Sequence, residues 1–252
     1  MTWTVTTVVV TGVLFVVLER LIPFRKGQSI FRKGFFDDLA LYTALQELIL
    51  SLILSRVIIA VNEHLPHWKT TFVTDWPIYF QVAFFLVTHD FYIYVTHRLR
   101  HKWRWWWRLH EAHHSNTEID WIAGSRSHFL EVLIDHLFEF FPMILLGASP
   151  DTPLIKGVIS AAWGMFIHSN LNVDLGILKY IINSPQMHRW HHATDREAWG
   201  KNFATKFSLF DWIFQTAYLP DDKVPSGYGL GEGVDFPHNY FKAQVYAFRK
   251  QE

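Results

Sequence analysis

The chain has 252 residues, equal numbers of acidic and basic side chains, and no net charge when its 15 histidines are neutral. This length fits a single domain, and the charge balance gives no reason to expect a nucleic-acid partner. No cysteine is present, which excludes disulfides, thiolate metal sites, iron–sulfur clusters and a cysteine nucleophile. Any metal must therefore be held by nitrogen and oxygen ligands.

Residues 1–96 are predicted to form three membrane-spanning helices. The first is Met1–Leu18, which contains no charged residue; because no small-residue cleavage site follows it, we interpret it as a retained helix, not a signal peptide. The second and third are predicted at about Leu39–Val61 and Trp76–Thr96. A short loop with four basic residues, between positions 25 and 33, is predicted to be cytoplasmic. The third helix would then deliver the residues after Thr96 to the cytoplasmic surface.

Residues 97–128 contain two of three short histidine boxes. Box 1 reads HRLRH, box 2 reads HEAHH, and box 3, far downstream, reads HRWHH. Residues three or four apart share a helix face, and neutral imidazole is the commonest metal ligand. We therefore predict that the boxes form one metal centre. Their eight histidines are His97, His101, His110, His113, His114, His188, His191 and His192. A catalytic zinc usually takes three protein ligands, so eight suffice for two metals.

Residues 129–168 are predicted to form a membrane hairpin from two apolar stretches, Phe129–Ser149 and Pro153–His168. A hairpin that enters and leaves by one face would return His168 and box 3 to the side where box 1 emerges. Three acidic residues in the first stretch, Glu131, Asp135 and Glu139, leave a shallow or protein-packed helix as an alternative. The tryptophan-rich stretch between boxes 1 and 2 is predicted to lie at lipid headgroup level.

These features predict an all-α fold, with residues 1–252 forming one integral, multi-pass membrane domain. The expected architecture is a polytopic membrane helix bundle with a cytosolic, histidine-rich di-metal cap, of which residues 169–252 form box 3 and the rest of the cap. A bacterial inner membrane is the expected location.

The segment from Asp90 to Gln215 resembles the membrane-bound fatty acid hydroxylase superfamily, which includes sterol desaturases, sterol methyl oxidases and alkylglycerol monooxygenase. The similarity is carried by the three boxes, the aromatic lead-in 90–94, the Asn-Ser-Pro at 183–185 and the motif Asp-Trp-Ile-Phe at 211–214. It implies that the box histidines bind two ferrous ions, with zinc as a substitute metal in purified protein. It also implies an enzyme that uses dioxygen and electrons to hydroxylate or desaturate a membrane lipid, such as a sterol or fatty acyl chain. Because the sequence shows no Gly-rich dinucleotide motif and no fused haem or iron–sulfur module, a separate electron-donor protein is expected.

Two further histidines resemble positions of that family. His168 and His128 are expected as additional metal ligands, although an ordinary hydrogen-bonded role is the alternative for both. Asp90 lies seven residues before His97, on the same helix face but roughly 10 Å away. We expect Asp90 to orient a ligand from another segment, such as His168, through a hydrogen bond.

Two other functions remain open from the residues alone. A zinc-dependent membrane hydrolase would activate water on one zinc, but it leaves about half of the box histidines without a role. A divalent metal transporter would favour ligands distributed along a path through the membrane, whereas these histidines collect beyond the ends of the predicted spans.

Overall fold

The computed structural model of the protein describes residues 2–249, so Met1 of the predicted first span and residues 250–252 of the predicted cap lie outside the described residues. Within that range the protein is helical, with two isolated β-bridges and no β-strand. The all-α prediction is confirmed.

The α-helices are α1 (Thr2–Leu21), α2 (Phe35–Asp37), α3 (Gln46–His64), α4 (Ile78–Lys102), α5 (Arg104–His110), α6 (Phe129–Leu145), α7 (Asp151–His168), α8 (Pro185–His191), α9 (Leu209–Ile213) and α10 (Tyr240–Tyr246). A π-helix at Asp38–Leu45 joins α2 to α3. Short 3-10 helices are found at Pro66–Trp68, His113–Ser115, Ala123–Ser125, Gly176–Tyr180 and Arg196–Ala198.

Three helical segments of the described chain are long and apolar enough to cross a membrane: Trp3–Leu21, Phe35–His64 and Ile78–Lys102. Their outer faces carry exposed apolar side chains, among them Val10, Leu21 and Leu52, as expected of a surface that faces lipid. The number of candidate spans agrees with the sequence prediction. The third helix is longer than predicted, because α4 continues without a break through box 1.

The predicted hairpin corresponds to α6 and α7, which are not among those three segments. The tight turn between them places Gly147 at φ +77°, where an added Cβ would lie 2.6 Å from the backbone oxygen of Thr70. Both helices bury ionisable residues, Glu131 and Glu139 in α6 and Lys156 in α7. These features favour the protein-packed alternative for this part of the chain.

The long helices bring the predicted ligand segments to one end of the bundle. Helix α7 packs against α1, α4 and α8, while α3 packs against α6. The loop after α1 is bonded to the segment that follows His168, because the Phe24 N–H donates to the Asn170 carbonyl and the Asn172 N–H donates to the Ile22 carbonyl, each at 2.8 Å. The basic loop and the carboxyl end of α7 therefore lie together.

Candidate metal centre

Boxes 1 and 2 meet because the chain turns sharply between them. Box 1 occupies the last turns of α4, and the extended conformation of Trp103 (φ −104°, ψ 120°) separates α4 from α5. Helix α5 ends at His110, and the next 3-10 turn holds His113 and His114. The ring centroids of His97 and His110 lie 4.7 Å apart as a result.

Box 3 lies on α8, whose start is defined by local sequence. The Ser184 side chain accepts a hydrogen bond from the Met187 N–H, and Pro185 occupies the first turn, both common at helix amino termini. Since α8 packs against α7, box 3 meets the last residue of α7. The ring centroids of His168 and His188 are 4.2 Å apart.

Nine histidines form two compact groups in which one ligand atom from each residue lies within 4.8 Å of the others. Cluster A contains His97, His101, His110, His114 and His191, and cluster B contains His113, His168, His188 and His192. The clusters adjoin, because the rings of His114 and His192 have centroids 4.6 Å apart. All eight box histidines and His168 are thus brought together.

The two HxxHH boxes are divided between the clusters by the same rule. In box 2 the residues four apart, His110 and His114, belong to cluster A, and His113 belongs to cluster B. In box 3 the residues four apart, His188 and His192, belong to cluster B, while His191 belongs to cluster A. Each of these boxes therefore supplies a pair of residues four apart to one cluster and one imidazole to the other.

The donor geometry of cluster A fits a cation. The Nδ1–H of His97 donates to the Phe203 carbonyl at 2.8 Å, and that of His110 donates to the Glu131 carboxylate at 2.8 Å. In a neutral imidazole the other nitrogen then carries a lone pair. These two Nε2 atoms are only 3.0 Å apart. Two acceptors at this distance have no proton to share, so a bound metal ion would relieve their repulsion.

In cluster B the ring of His168 is fixed in the same way. Its Nδ1–H donates to the Gly164 carbonyl at 2.9 Å, and its Nε2 lies 2.9 Å from Nε2 of His188. The neighbouring loop approaches His168 so closely that a Cβ at Gly124 would lie 2.4 Å from its Nδ1. Glycine at position 124 is therefore needed for His168 to point into cluster B.

Burial keeps these imidazoles in the neutral form that binds metals. Loss of hydration lowers the pKa of His110, His113 and His114 well below the ordinary value, and it lowers the pKa of His191 to about 4. The Nε2 atoms of His101, His114 and His191 are buried without a hydrogen-bond partner. Clustered neutral imidazoles suit zinc, copper, iron or nickel, so the residues present fit a metal centre.

The structure places His128 outside both clusters. Its Nδ1 accepts a hydrogen bond from the Leu130 N–H at 3.1 Å, and its Nε2 donates to the Gln244 carbonyl at 2.8 Å. Both ring nitrogens are thereby used, the first as the amino-terminal cap of α6. The expectation that His128 joins the metal ligands is corrected to the structural role, and His168 is the ninth histidine of the centre.

Asp90 also differs from the expectation. Its carboxylate accepts hydrogen bonds from the Thr205 hydroxyl and from the backbone N–H groups of Lys206 and Phe207. It therefore anchors the 203–207 segment to α4 and makes no bond to His168. The connection to the centre is indirect, because Phe203 of that segment accepts the hydrogen bond from His97.

The sequence did not predict the contacts of two carboxylates that lie near the clusters. Asp211 accepts hydrogen bonds from the N–H groups of Phe203 and Ala204 and so supports the same segment as Asp90. Glu131 is 3% exposed and bonds directly to His110. For Glu131, the sequence shows an acidic residue within an apolar helix. Such a residue indicates a function or an internal partner, but the sequence does not identify that partner.

Comparison with known proteins identifies a family for this chain. A family model described as fatty acid hydroxylase matches residues 82–216, more than half of the chain and all three boxes. The ornithine lipid hydroxylase OlsE of Rhizobium tropici is 30% identical over 171 residues, which cover 68% of this chain and 50% of that protein. Human alkylglycerol monooxygenase is 29% identical over 146 residues, covering 58% of this chain and 32% of that protein.

Two histidine clusters that could hold metal ions, at the end of an apolar helix bundle, agree with this match: the chain belongs to the fatty acid hydroxylase family. A cholesterol 25-hydroxylase-like protein of Danio rerio is also similar, at 24% identity over 56% of this chain and 57% of that protein. The chain spans about half, or less, of the two lipid oxygenases named above. No solved structure matches the chain.

Proposed function

We propose that this protein is a membrane oxidoreductase that uses two iron ions, dioxygen and two electrons from a separate donor to oxidise a C–H bond of a lipid. The observation that carries the proposal is the division of nine histidines, eight of them buried, into two adjoining clusters. The family match supports oxygen-dependent chemistry on lipids, and the relatives' names, a lipid hydroxylase and a monooxygenase, favour hydroxylation over desaturation.

Hydroxylation and desaturation would each consume one dioxygen, two electrons and two protons per lipid. In hydroxylation, one oxygen atom of dioxygen enters the lipid C–H bond as an alcohol, and the other leaves as water with two electrons and two protons. In desaturation, two hydrogen atoms leave the lipid as a double bond forms, and these, with two electrons from the donor and two protons, reduce both oxygen atoms to water. Two ferrous ions, when bound, would supply the activation of dioxygen.

The residues of the chain would hold and shield this chemistry. Clusters A and B would each hold one ion through neutral imidazole nitrogens. Hydrogen bonds from His97 to Phe203, from His191 to Lys201 and from His168 to Gly164 would keep the ligand nitrogens aimed inward. Because eight of the nine histidines are buried, bulk water would be kept from the centre.

The membrane spans would bring the lipid to this end of the bundle. Box 1 lies on the same continuous helix as the third candidate span, so the centre would lie beside the bilayer surface. Trp103 and Trp105 are 45% and 60% exposed, which supports contact with lipid headgroups. The donor protein would bind from the aqueous side.

The nearby basic loop supports a cytoplasmic position for the centre. It is bonded to the segment after His168, and short loops rich in lysine and arginine are retained on the cytoplasmic side. Since the chain has no cysteine, Lys26→Cys and Lys69→Cys provide single labelling sites. We expect an impermeant maleimide to label Lys69→Cys but not Lys26→Cys in intact cells; the reverse pattern would contradict this orientation.

Metal analysis of purified protein, followed by turnover, tests the function. We expect close to two irons per chain and dioxygen consumption that requires both a reductant and a lipid, with an alcohol or alkene product found by mass spectrometry. Lipid extracts from cells with and without the protein would identify the substrate class. One zinc per chain with lipid hydrolysis in the absence of dioxygen would instead support the zinc hydrolase.

A further inference from the structure

The two clusters differ in the groups that lie behind their imidazoles. In cluster A the Nδ1–H groups of His97 and His191 donate to backbone carbonyls at 2.8 Å, but that of His110 donates to the carboxylate of Glu131 at 2.8 Å. In cluster B the Nδ1–H of His168 donates to a backbone carbonyl. One imidazole of cluster A is thus oriented by an acidic side chain.

The Glu131 carboxylate is itself held in place by a cation from the box 1 helix. Its Oε1 atom lies 3.2 Å from Nη1 of Arg100, and the two side chains are 3% and 4% exposed. Arg100 lies between His97 and His101 on α4, and it also pairs with Asp135 one turn further along α6. The guanidinium therefore fixes α6 against the helix that carries two cluster A histidines.

A carboxylate that accepts the outer N–H of a ligand histidine has two effects. It fixes the ring orientation and tautomer, and it increases the basicity of the inner nitrogen. Both effects strengthen the bond from Nε2 of His110 to a cation. Cluster A also offers five imidazoles where cluster B offers four. The two differences act in the same direction.

We propose that Glu131 is a positioning residue that makes the metal position of cluster A the tighter of the two, so that cluster A fills before cluster B. This inference rests on the proposed function, because it requires metal in both clusters. Glu131 would not touch the metal. It would act through His110, with Arg100 holding its carboxylate.

The test is an anaerobic titration of metal-free protein with Fe²⁺ against a competing chelator, comparing wild type, Glu131→Gln and Asp135→Asn. Glutamine keeps the shape and can still accept the His110 N–H, but it lacks the charge. We expect wild type to bind two ions with different affinities and Glu131→Gln to weaken the tighter one by roughly 10–100-fold. Asp135→Asn is the matched control, because Asp135 pairs with the same arginine without a bond to histidine, and it should retain both affinities.

Titration with Co²⁺ gives a second readout that a merely structural residue would not change. The visible absorption of Co²⁺ reports its ligand geometry, so Glu131→Gln should alter the spectrum of the first equivalent and leave that of the second unchanged. If Glu131→Gln does not fold, Arg100→Lys tests the same arrangement. It removes the paired guanidinium contacts without changing an imidazole, and it should weaken the tighter position alone.

The possible results separate the two hypotheses. Wild-type protein that binds fewer than two ions would refute the two-metal function before any variant is measured. If wild type binds two ions, wild-type affinities in Glu131→Gln would overturn the role of Glu131, and so would equal weakening of both positions.

Discussion

Two buried polar regions of this bundle are built in opposite ways. In the histidine clusters, lone-pair nitrogens of His97 and His110 face each other at 3.0 Å in cluster A, and the Nε2 atoms of His168 and His188 lie 2.9 Å apart in cluster B. In the other region, between α4, α6 and α7, the Lys156 ammonium donates to the Glu139 carboxylate and to Nδ1 of His89. The first arrangement fits an added cation, whereas the second contains its own.

The second region therefore serves the fold. The Lys156 side chain is fully buried, and its partners belong to two other helices. His136 extends the network to α3, because its Nε2 lies 3.1 Å from the Glu47 carboxylate. Because removal of one partner from a buried ion pair is strongly destabilising, such a pair links the helices that carry its two charges. The comparison teaches that buried histidines indicate a metal only where their neighbours leave the inner nitrogens without a proton or counter-charge.

The largest expected effect is on the metal centre itself. His113→Ala removes one of four cluster B imidazoles, so we expect turnover to be abolished and bound metal to fall from two ions to about one, while the protein still inserts into the membrane. Metal analysis and product formation would measure this. His136→Ala, which removes a histidine of the ion network, should retain both metals. Normal activity and metal content in His113→Ala would remove box 2 from the site.

Acid should destabilise the metal-free protein strongly. The unfolded chain binds protons at ordinary histidine pKa values, whereas burial lowers the folded pKa of His191 from 6.5 to about 4, and those of His188 and His192 are also lowered. The unfolded state therefore binds more protons, and stability falls as pH decreases. The stability contributed by these groups should be complete above pH 6.5 and decline towards pH 4, as measured by thermal unfolding. A flat profile across this range would contradict the burial of neutral imidazoles.

Breaking the ion network should affect folding and leave the metal centre intact. Lys156→Met leaves the Glu139 carboxylate buried without its cation, at a cost of about 3–5 kcal/mol. The double variant Lys156→Met/Glu139→Leu should recover most of this loss, because it removes both charges. Thermal unfolding in detergent would report the cost, and metal analysis should still find two ions. Loss of metal with unchanged unfolding temperature would reverse the roles assigned to the two regions.

A smaller, selective effect is expected at the loop beside cluster B. A Cβ at Gly124 would displace the His168 ring, so Gly124→Ala should weaken the cluster B metal by roughly tenfold, as expected for the loss of a positioning contact. Gly157→Ala is the matched control, because an added Cβ there meets nothing within 4 Å. Metal titration compares the two variants. Equal affinities would show that His168 is not constrained by this loop.

The smallest effect is expected at the histidine that lies outside the centre. His128→Ala removes the cap of α6, at a cost of about 1 kcal/mol, and it should leave both metals bound. His168→Ala should lose the cluster B ion. Loss of a metal ion from His128→Ala at unchanged stability would instead show that His128 is a metal ligand, as the sequence predicts.

Local periodicity was sufficient to predict much of this protein. The apolar runs predicted three candidate spans, and the four-residue spacing of His97 and His101 predicted that both lie on one face of α4. The assembly of all eight box histidines followed from the number and chemistry of the side chains. Local sequence carried these features because helix geometry repeats over one turn, and because hydrophobic length alone determines whether a helix can cross a bilayer.

Only the tertiary structure decided how the two HxxHH boxes divide between the clusters, why His168 joins them and His128 does not, and which carboxylate supports a ligand. His128 and Glu131 lie three residues apart, yet one bonds to Gln244 and the other to His110. Asp90 bonds to residues more than 100 positions away. Such contacts depend on the packing of distant helices, and the spacing of residues along one helix contains no information about its neighbours.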